Sequence, residues 1–325
     1  MSRVSLLLIP RDNDLPRVVG DFTPLNRVSI PLSYDTPNTE DMFHTASRHR
    51  VFSKVDIKDA FHHLILDETS RHLTAFATPD GDFQYCRLPQ GWCNSPAYWQ
   101  RFITFVLRGL LGLSCFAFAD DIIIYGMTDK ELFVRERQVL KRLNSAGLVL
   151  NYKKCLWHKP SVPYLGTRLG HGTISPIVPT ATLENWPIPR HKKQLQEFLG
   201  TVNAFRPYIP NLSALVADIT PLTGNAPWRW NATTTLSFQR IRDACLRAMT
   251  IHTHTPGARL ELILDASLKG LGAILKENGR VTAIISRKLS AAERNYDTCE
   301  RELLASVWST QRGIPAAQCD APQAE

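Results

Sequence analysis

The sequence predicts an α+β protein of two or three domains, and three features carry that prediction. Short apolar runs flank the adjacent carboxylates Asp120 and Asp121, which reads as a β-hairpin with the aspartates at its tip. Over residues 193–206 the apolar residues recur instead at helical spacing, as Leu195, Phe198, Leu199 and Val202, and the pattern stops before Pro207. Near the end, Asn278-Gly279 sits between the apolar runs 271–275 and 281–285, and this dipeptide suits a tight two-residue hairpin turn. At roughly 150 residues per domain, 325 residues suffice for two or three such units with buried cores.

The remaining elements follow in chain order. Residues 51–56 alternate as a strand that ends in Asp56. Leu132, Phe133, Val139, Leu140 and Leu143 share one helical face, and the run Asn144 to Gly147 closes that helix. Prolines 160, 163, 176, 179, 187 and 189 punctuate residues 158–190, so this stretch is expected to be a turn-rich connector into a helical middle block. The alternation Leu260, Leu262, Leu264 predicts a strand before the Asn278-Gly279 hairpin. A helix with Leu303, Leu304, Val307 and Trp308 on one face is expected after it, halted by Gly313 and Pro315. The last dozen residues, rich in alanine, proline and glutamine, carry no apolar pattern, and the chain holds no internal repeat.

Composition narrows the function classes. Hydrophobic residues make up 44% and charged residues 21%, which excludes a largely disordered chain, a collagen-like repeat and a coiled coil. Lysine plus arginine number 38 against 30 acids, and this excess of +8 favours an anionic partner. The seven cysteines include no Cys-x-x-Cys pair, as expected of reduced intracellular thiols rather than a zinc knuckle or a disulfide scaffold. His252 and His254 have no nearby ligand pair and read as loop histidines. The run Leu6 to Ile9 is too short for a secretory signal core, and the apolar window 105–119 is interrupted by Arg108, so no membrane partner is expected.

The chemistry centres on carboxylates. Two adjacent aspartates beside buried strands repel one another and resist desolvation, so they need either a cation or a solvated turn. An Asp-Asp pair alone is compatible with both. Asp56 shifts the balance toward a cation, because side-by-side pairing of its strand with the hairpin would bring Asp56 and Asp120 together across 64 residues of sequence. The result would be an oxygen-only site suited to Mg²⁺. Two such ions about 4 Å apart can hold the attacking and leaving oxygens of an in-line phosphoryl displacement.

At this point the sequence resembles the reverse transcriptases of gypsy-class LTR retrotransposons. Phe118-Ala-Asp120-Asp121 is similar to their Tyr-x-Asp-Asp motif, and Phe52-Ser-Lys-Val-Asp56 to the other catalytic strand. Leu88-Pro-Gln-Gly-Trp92 with Asn94-Ser-Pro96 resembles the loop and helix start that line the nucleotide pocket. Arg17, Asp21 and Leu25-Asn26 resemble the fingers motif, Tyr164-Leu-Gly166 the primer grip, and residues 198–209 the thumb. Six motifs stand in family order over nearly residues 4–310.

The resemblance implies a right-hand polymerase followed by an incomplete ribonuclease H-like α/β domain. Fingers and palm would occupy residues 1–172, thumb and connection 173–250, and the truncated ribonuclease H-like region 251–325. Asp56 and Asp120 would be the main ligands of two Mg²⁺ ions, with Asp121 completing the site. Phe61 aligns with the aromatic gate that excludes a ribose 2′-hydroxyl. Gln90 and Gly91 would contact the incoming deoxynucleoside triphosphate, Arg17 and Arg11 would neutralise its phosphates, and Lys154 would protonate the pyrophosphate. The partners implied are an RNA or DNA template with its primer, inside the cell.

Asp265 and Glu302 resemble the first two carboxylates of the ribonuclease H domain. The two later ones have no counterpart, so no competent nuclease is expected. Three departures qualify the match: Phe118 stands in place of the motif tyrosine, Thr23 where the family often has arginine, and the chain begins inside the fingers, which are expected to be incompletely packed. The alternative is a degenerate element copy that binds nucleic acid without catalysis; a stand-alone nuclease is disfavoured by the absent carboxylates.

Overall fold

A four-stranded sheet organises the first half of the chain. The computed structural model describes residues 4–11, 14–34, 38–225, 227–254 and 258–312, and the chain divides into two units, Met1–Tyr164 and Leu165–Glu325. The first unit opens with the hairpin β1 (Ser5–Arg11) and β2 (Asp14–Asp21), then α1 (Thr23–Val28) and α2 (Thr39–Ser47). Next come β3 (Val51–Asp56), a short α3 (Glu68–Arg71), the small hairpin β4 (Phe76–Thr78) and β5 (Gly81–Phe83), and α4 (Ser95–Val106). The unit closes with β6 (Cys115–Phe118), β7 (Asp121–Gly126), α5 (Asp129–Ser145), β8 (Leu156–Lys159) and β9 (Ser161–Tyr164).

The central sheet runs β6-β7-β3-β8, with β3 antiparallel to both neighbours. Because successive strand residues point to opposite faces, its two sides differ in character. Val55, Ile122 and Ile124 join Trp99 and Ile103 of α4 and Leu132, Val139 and Leu143 of α5 in one buried core. Lys54, Asp56 and Asp121 fall on the other side by the same alternation. α5 starts at Asp129, where the Thr128 side chain accepts from the Glu131 N–H at its first turn. Phe133, expected on its core face, is 55% exposed instead. Consecutive helical residues diverge by about 100°, and Leu132 takes the inward direction.

In the second unit, β10 (Thr167–Gly170) and β11 (Thr173–Pro176) form a hairpin to which β12 (Ile251–His252) adds. The proline-rich stretch is therefore more ordered than a connector: β8 to β11 occupy much of it, with Pro163 inside β9 and Pro176 at the end of β11. Helices α6 (Thr180–Glu184), α7 (Lys192–Asn203), α8 (Leu212–Leu215) and α9 (Ala232–Leu246) surround Leu195, Phe198, Val202, Phe238 and Ile241.

The last block is the antiparallel sheet β13 (Leu260–Ala266), β14 (Gly270–Glu277) and β15 (Arg280–Lys288), followed by α10 (Thr298–Arg312). Asn278 and Gly279 both adopt positive φ, 48° and 80°, as a tight hairpin turn demands. Leu304 and Trp308 of α10 pack inward near Ala305, while Leu303 and Val307 point outward. Six cysteines among the described residues are free thiols, and no described helix is long and apolar enough to cross a membrane.

Candidate active site

The β3–β7 ladder sets the acidic residues against each other. Six consecutive pairs run from Val51 opposite Gly126 to Asp56 opposite Asp121. Residues directly opposed in an antiparallel pair lie on the same face, so the two carboxylates share the side away from the core. A one-residue slip would exchange Asp56 for Val55 on that face, and the buried Val55 and Ile122 hold the register.

Asp121 therefore opens β7, and Asp120 and Ala119 form the turn between β6 and β7. The residue directly across from Asp56 is Asp121, with Asp120 one step back and exposed. Ala119 has φ 51°, in the left-handed region. A residue with a Cβ incurs roughly 1–3 kcal/mol there, a strain that persists only where the surroundings enforce it.

Two lysines neutralise the facing carboxylates. Lys54 Nζ lies 2.9 Å from Asp121 Oδ1, and Lys154 Nζ lies 3.6 Å from Asp56 Oδ2. Burial pushes the Asp121 carboxyl above its ordinary value; Lys54 counteracts this, and the charges of Asp120 and Asp56 add to it. The charges of Asp56 and Asp120 thus bear on Asp121. Lys54 is the residue that sequence reasoning passed over, although its place two residues before Asp56 puts it on the same strand face.

Facing carboxylates on one sheet face suit a divalent cation, and Mg²⁺ is commonly held by one or two carboxylates plus substrate phosphates rather than by an all-protein cage. Asp56 and Asp121 match that donor set. Among the described residues, no three His, Cys, Asp or Glu side chains gather as a metal-holding group, so the phosphates would have to supply the remaining oxygens.

The expected nucleotide-pocket residues lie on adjoining loops. Phe61 sits in a short 3₁₀ turn over residues 60–63, edge-on to Trp99 with ring centroids 6.4 Å apart. Gln90 is half-buried, and Gly91 has φ 98°, where a Cβ would come within 3.2 Å of the Gly20 carbonyl. Asn26 and Asn94 fasten this loop. The Asn26 amide donates to the Gly91 carbonyl at 3.0 Å and accepts from the Cys93 N–H at 2.8 Å. Asn94 accepts from the Leu32 N–H and donates to the Ile30 carbonyl, both at 2.9 Å. Arg17 pairs with Ile9 in the β1–β2 hairpin, and its side chain lies outside the described residues.

The second acidic pair is arranged differently. Asp265 lies on β13 opposite Gly272, is exposed, and accepts a hydrogen bond from the Asn211 amide. A Cβ at Gly272 would collide with that asparagine. Glu302 is exposed on α10.

Residues 9–169 match the family model described as reverse transcriptase (RNA-dependent DNA polymerase). Residues 230–315 match an RNase H-like domain found in reverse transcriptase. The retrovirus-related Pol polyprotein from transposon 297 of Drosophila melanogaster is 33% identical over 302 residues, covering 91% of this chain and 28% of that protein. The corresponding polyprotein from transposon gypsy of the same fly is 31% identical, covering 91% and 30%. The chain thus spans less than a third of the length of these relatives. Among solved structures, a foamy viral protease-reverse transcriptase in complex with double-stranded DNA superposes with a TM-score of 0.83 at 22% identity, covering 95% of this chain and 55% of that one. A second, in complex with an RNA/DNA hybrid, gives 0.77 at 22%, covering 95% and 42%. These two likenesses show the fold.

Proposed function

Because the chain belongs to the reverse transcriptases of LTR retrotransposons, we propose that it is an RNA-directed DNA polymerase with fingers and palm in residues 1–172, thumb and connection in 173–250, and a ribonuclease H-like region in 251–325. The observation that carries the reading is the ladder register that sets Asp121 against Asp56 with Asp120 beside them in the turn. In the reaction, the 3′-hydroxyl of a primer attacks the α-phosphorus of a deoxynucleoside triphosphate and pyrophosphate leaves. Two Mg²⁺ ions, when bound, supply neutralisation of the attacking and leaving oxygens.

The chain's own residues position and exclude. Asp56 and Asp121 offer carboxylate oxygens from one sheet face, and Asp120 does so from the turn. Lys154, 64% exposed beside Asp56, is placed to give a proton to departing pyrophosphate. Phe61, braced by Trp99, fills the space of a ribose 2′-hydroxyl and so selects deoxynucleotides. Gln90 and Gly91 border the incoming nucleotide, and Asn26 holds the Gly91 peptide in place for close approach. Arg17 is assigned to the triphosphate. The charge of +8 favours the phosphate backbone of a template-primer duplex, the class of partner with which the foamy viral proteins are described.

A degenerate copy that binds duplex without catalysis is the second reading. The observation in its favour is that both facing carboxylates are neutralised by lysines, and that among the described residues the acids do not gather as a metal-holding group of three. Primer extension on an RNA template separates the two. We expect extension with MgCl₂, none after chelation, and none from Asp120→Asn, which should still bind the duplex. Duplex binding without extension by the parent chain would support the second reading. Equal loss of binding and extension in Asp120→Asn would mark a folding defect and count against the metal-site role.

A further inference from the structure

The turn that carries Asp120 is gripped from outside the hairpin. On one side, the Ile57 N–H, just past β3, donates to the Asp120 carbonyl at 3.0 Å. On the other, α4 supplies two adjacent residues. The Trp99 indole N–H donates to the Ala119 carbonyl at 2.6 Å. The Gln100 side chain accepts from the Ala119 N–H and donates to the Ala117 carbonyl, both at 3.2 Å. Only one orientation of the amide satisfies both contacts, because its oxygen cannot donate and its nitrogen cannot accept.

Both polar backbone atoms of Ala119 are therefore engaged by α4, and both ends of the Gln100 amide are used. Trp99 and Gln100 are buried, at 0% and 4% exposure. Consecutive helical residues point about 100° apart, so the two side chains reach the turn from different directions. What they hold is the residue in the left-handed conformation that alanine disfavours. Trp99 also meets Phe61 edge-on, which links the turn to the nucleotide-pocket side of the site.

We propose that Trp99 and Gln100 are positioning residues that impose the left-handed Ala119 turn and so fix where the Asp120 carboxylate projects. The catalytic consequence rests on the polymerase reading above; the clamp itself rests on the geometry alone. It gives α4 a task beyond core packing, since one helix enforces a costly backbone conformation next to the reacting groups.

The test uses the full chain and Gln100→Met, which keeps side-chain length but can neither donate nor accept. Hydrogen exchange should accelerate at least tenfold at the Ala119 amide and stay unchanged in α5, which lies in the same unit and controls for its folding. In primer extension with Mg²⁺, kcat should fall about 30-fold while KM for the deoxynucleotide stays within threefold. Gln100→Glu, which retains the acceptor and loses the donor at neutral pH, should fall between the two.

The decisive arm is Ala119→Gly in the Gln100→Met background. Glycine adopts positive φ without penalty, so the turn no longer depends on the clamp, and kcat should return to within threefold of the Ala119→Gly chain. A residue that matters only for packing α4 would show no such rescue. Unaltered exchange in Gln100→Met overturns the clamp whatever the parent's activity. Faster exchange with unchanged kcat, or a kcat loss without rescue, overturns the positioning role. A parent that extends no primer but shows the expected exchange sinks the polymerase reading and leaves the clamp standing.

Discussion

Asp56 and Asp265 both stand at or near the end of a strand, and each resembles the first acid of a metal-dependent site, yet their surroundings differ. Asp56 meets Asp121 because six consecutive ladder pairs fix the register and a buried apolar face holds it. Asp265 resembles the partner of Glu302 on α10, an element that no ladder registers against β13, and the group it contacts is the Asn211 amide. Acids placed by strand pairing converge through backbone hydrogen bonds that many residues share. Acids placed on a strand and a helix converge only if packing at that one contact brings them together.

The largest effect expected from this contrast is catalytic. Asp121→Asn should lower primer extension on the order of 10³-fold, whereas Asp265→Asn should leave it within twofold. The same preparation should leave the RNA strand of an RNA/DNA hybrid uncut, as followed on an end-labelled hybrid. Extension lost equally in both variants would erase the distinction between the two acidic pairs. Cleavage by the parent that vanishes in Asp265→Asn would show that the second pair is assembled after all.

A smaller effect should separate the ion pairs within the first site. Lys54→Met leaves the half-buried Asp121 beside two other acids without its lysine. Truncating one partner of a partly buried pair costs about 1 kcal/mol, or about 2–4 °C in the unfolding midpoint for a unit of this size. The shift should be seen without divalent ions. Added MgCl₂ should recover more in the variant than in the parent, since a bound cation replaces the lysine's charge. Calorimetric scans across a MgCl₂ series check this, and identical Mg²⁺ responses would remove Lys54 from the electrostatic account.

Much of this arrangement was legible in the sequence, because it follows from local pattern. The strand ending in Asp56, the Asn278-Gly279 hairpin and the core face of α7 each follow from spacing and turn chemistry within a dozen residues. What escaped depends on distant neighbours. Lys54 acquires its role only once Asp121 is known to lie diagonally across the ladder. Gln100 and Trp99 lie 19 and 20 residues from Ala119, and Asn211 lies 54 from Asp265, so no local period relates them. The placing of Phe133, Leu303 and Val307 inside failed for another reason: an amphipathic pattern gives the width of a face but not which edge of it the neighbouring sheet covers. Prolines hid β8 to β11 because proline is tolerated at strand ends and edges, where it removes no required donor.

The smallest expected effect sharpens the comparison through pH, since each unit holds a titrating cluster of opposite sense. In the first, His158 Nδ1 lies 2.9 Å from Asp129 Oδ1 and Nε2 lies 3.1 Å from Glu136 Oε2, which also accepts, at Oε1, from the buried Ser53 hydroxyl. The Asp129 hydrogen bond raises the imidazole's proton affinity above its ordinary value, burial opposes this, and Glu136 adds to the rise. The stabilisation is therefore fully present below the unfolded value near 6.5 and is lost as pH rises through the higher folded value. In the second unit, Arg287 grips Glu293 with two hydrogen bonds of 2.7 and 2.8 Å and holds its carboxyl down at about 2. That stabilisation is present above the unfolded value near 4.5 and fades as pH falls from there toward about 2. Both groups are solvent-screened, so each effect should stay under about 1 kcal/mol. Hydrogen exchange in α5 should quicken between pH 6 and 8.5 with β15 unaffected after correction for intrinsic rates, and β15 should loosen on acidification below 4.5. His158→Gln should flatten the first profile only, and Glu293→Gln the second only. An unchanged alkaline slope in His158→Gln would mean that the histidine is not the group that titrates.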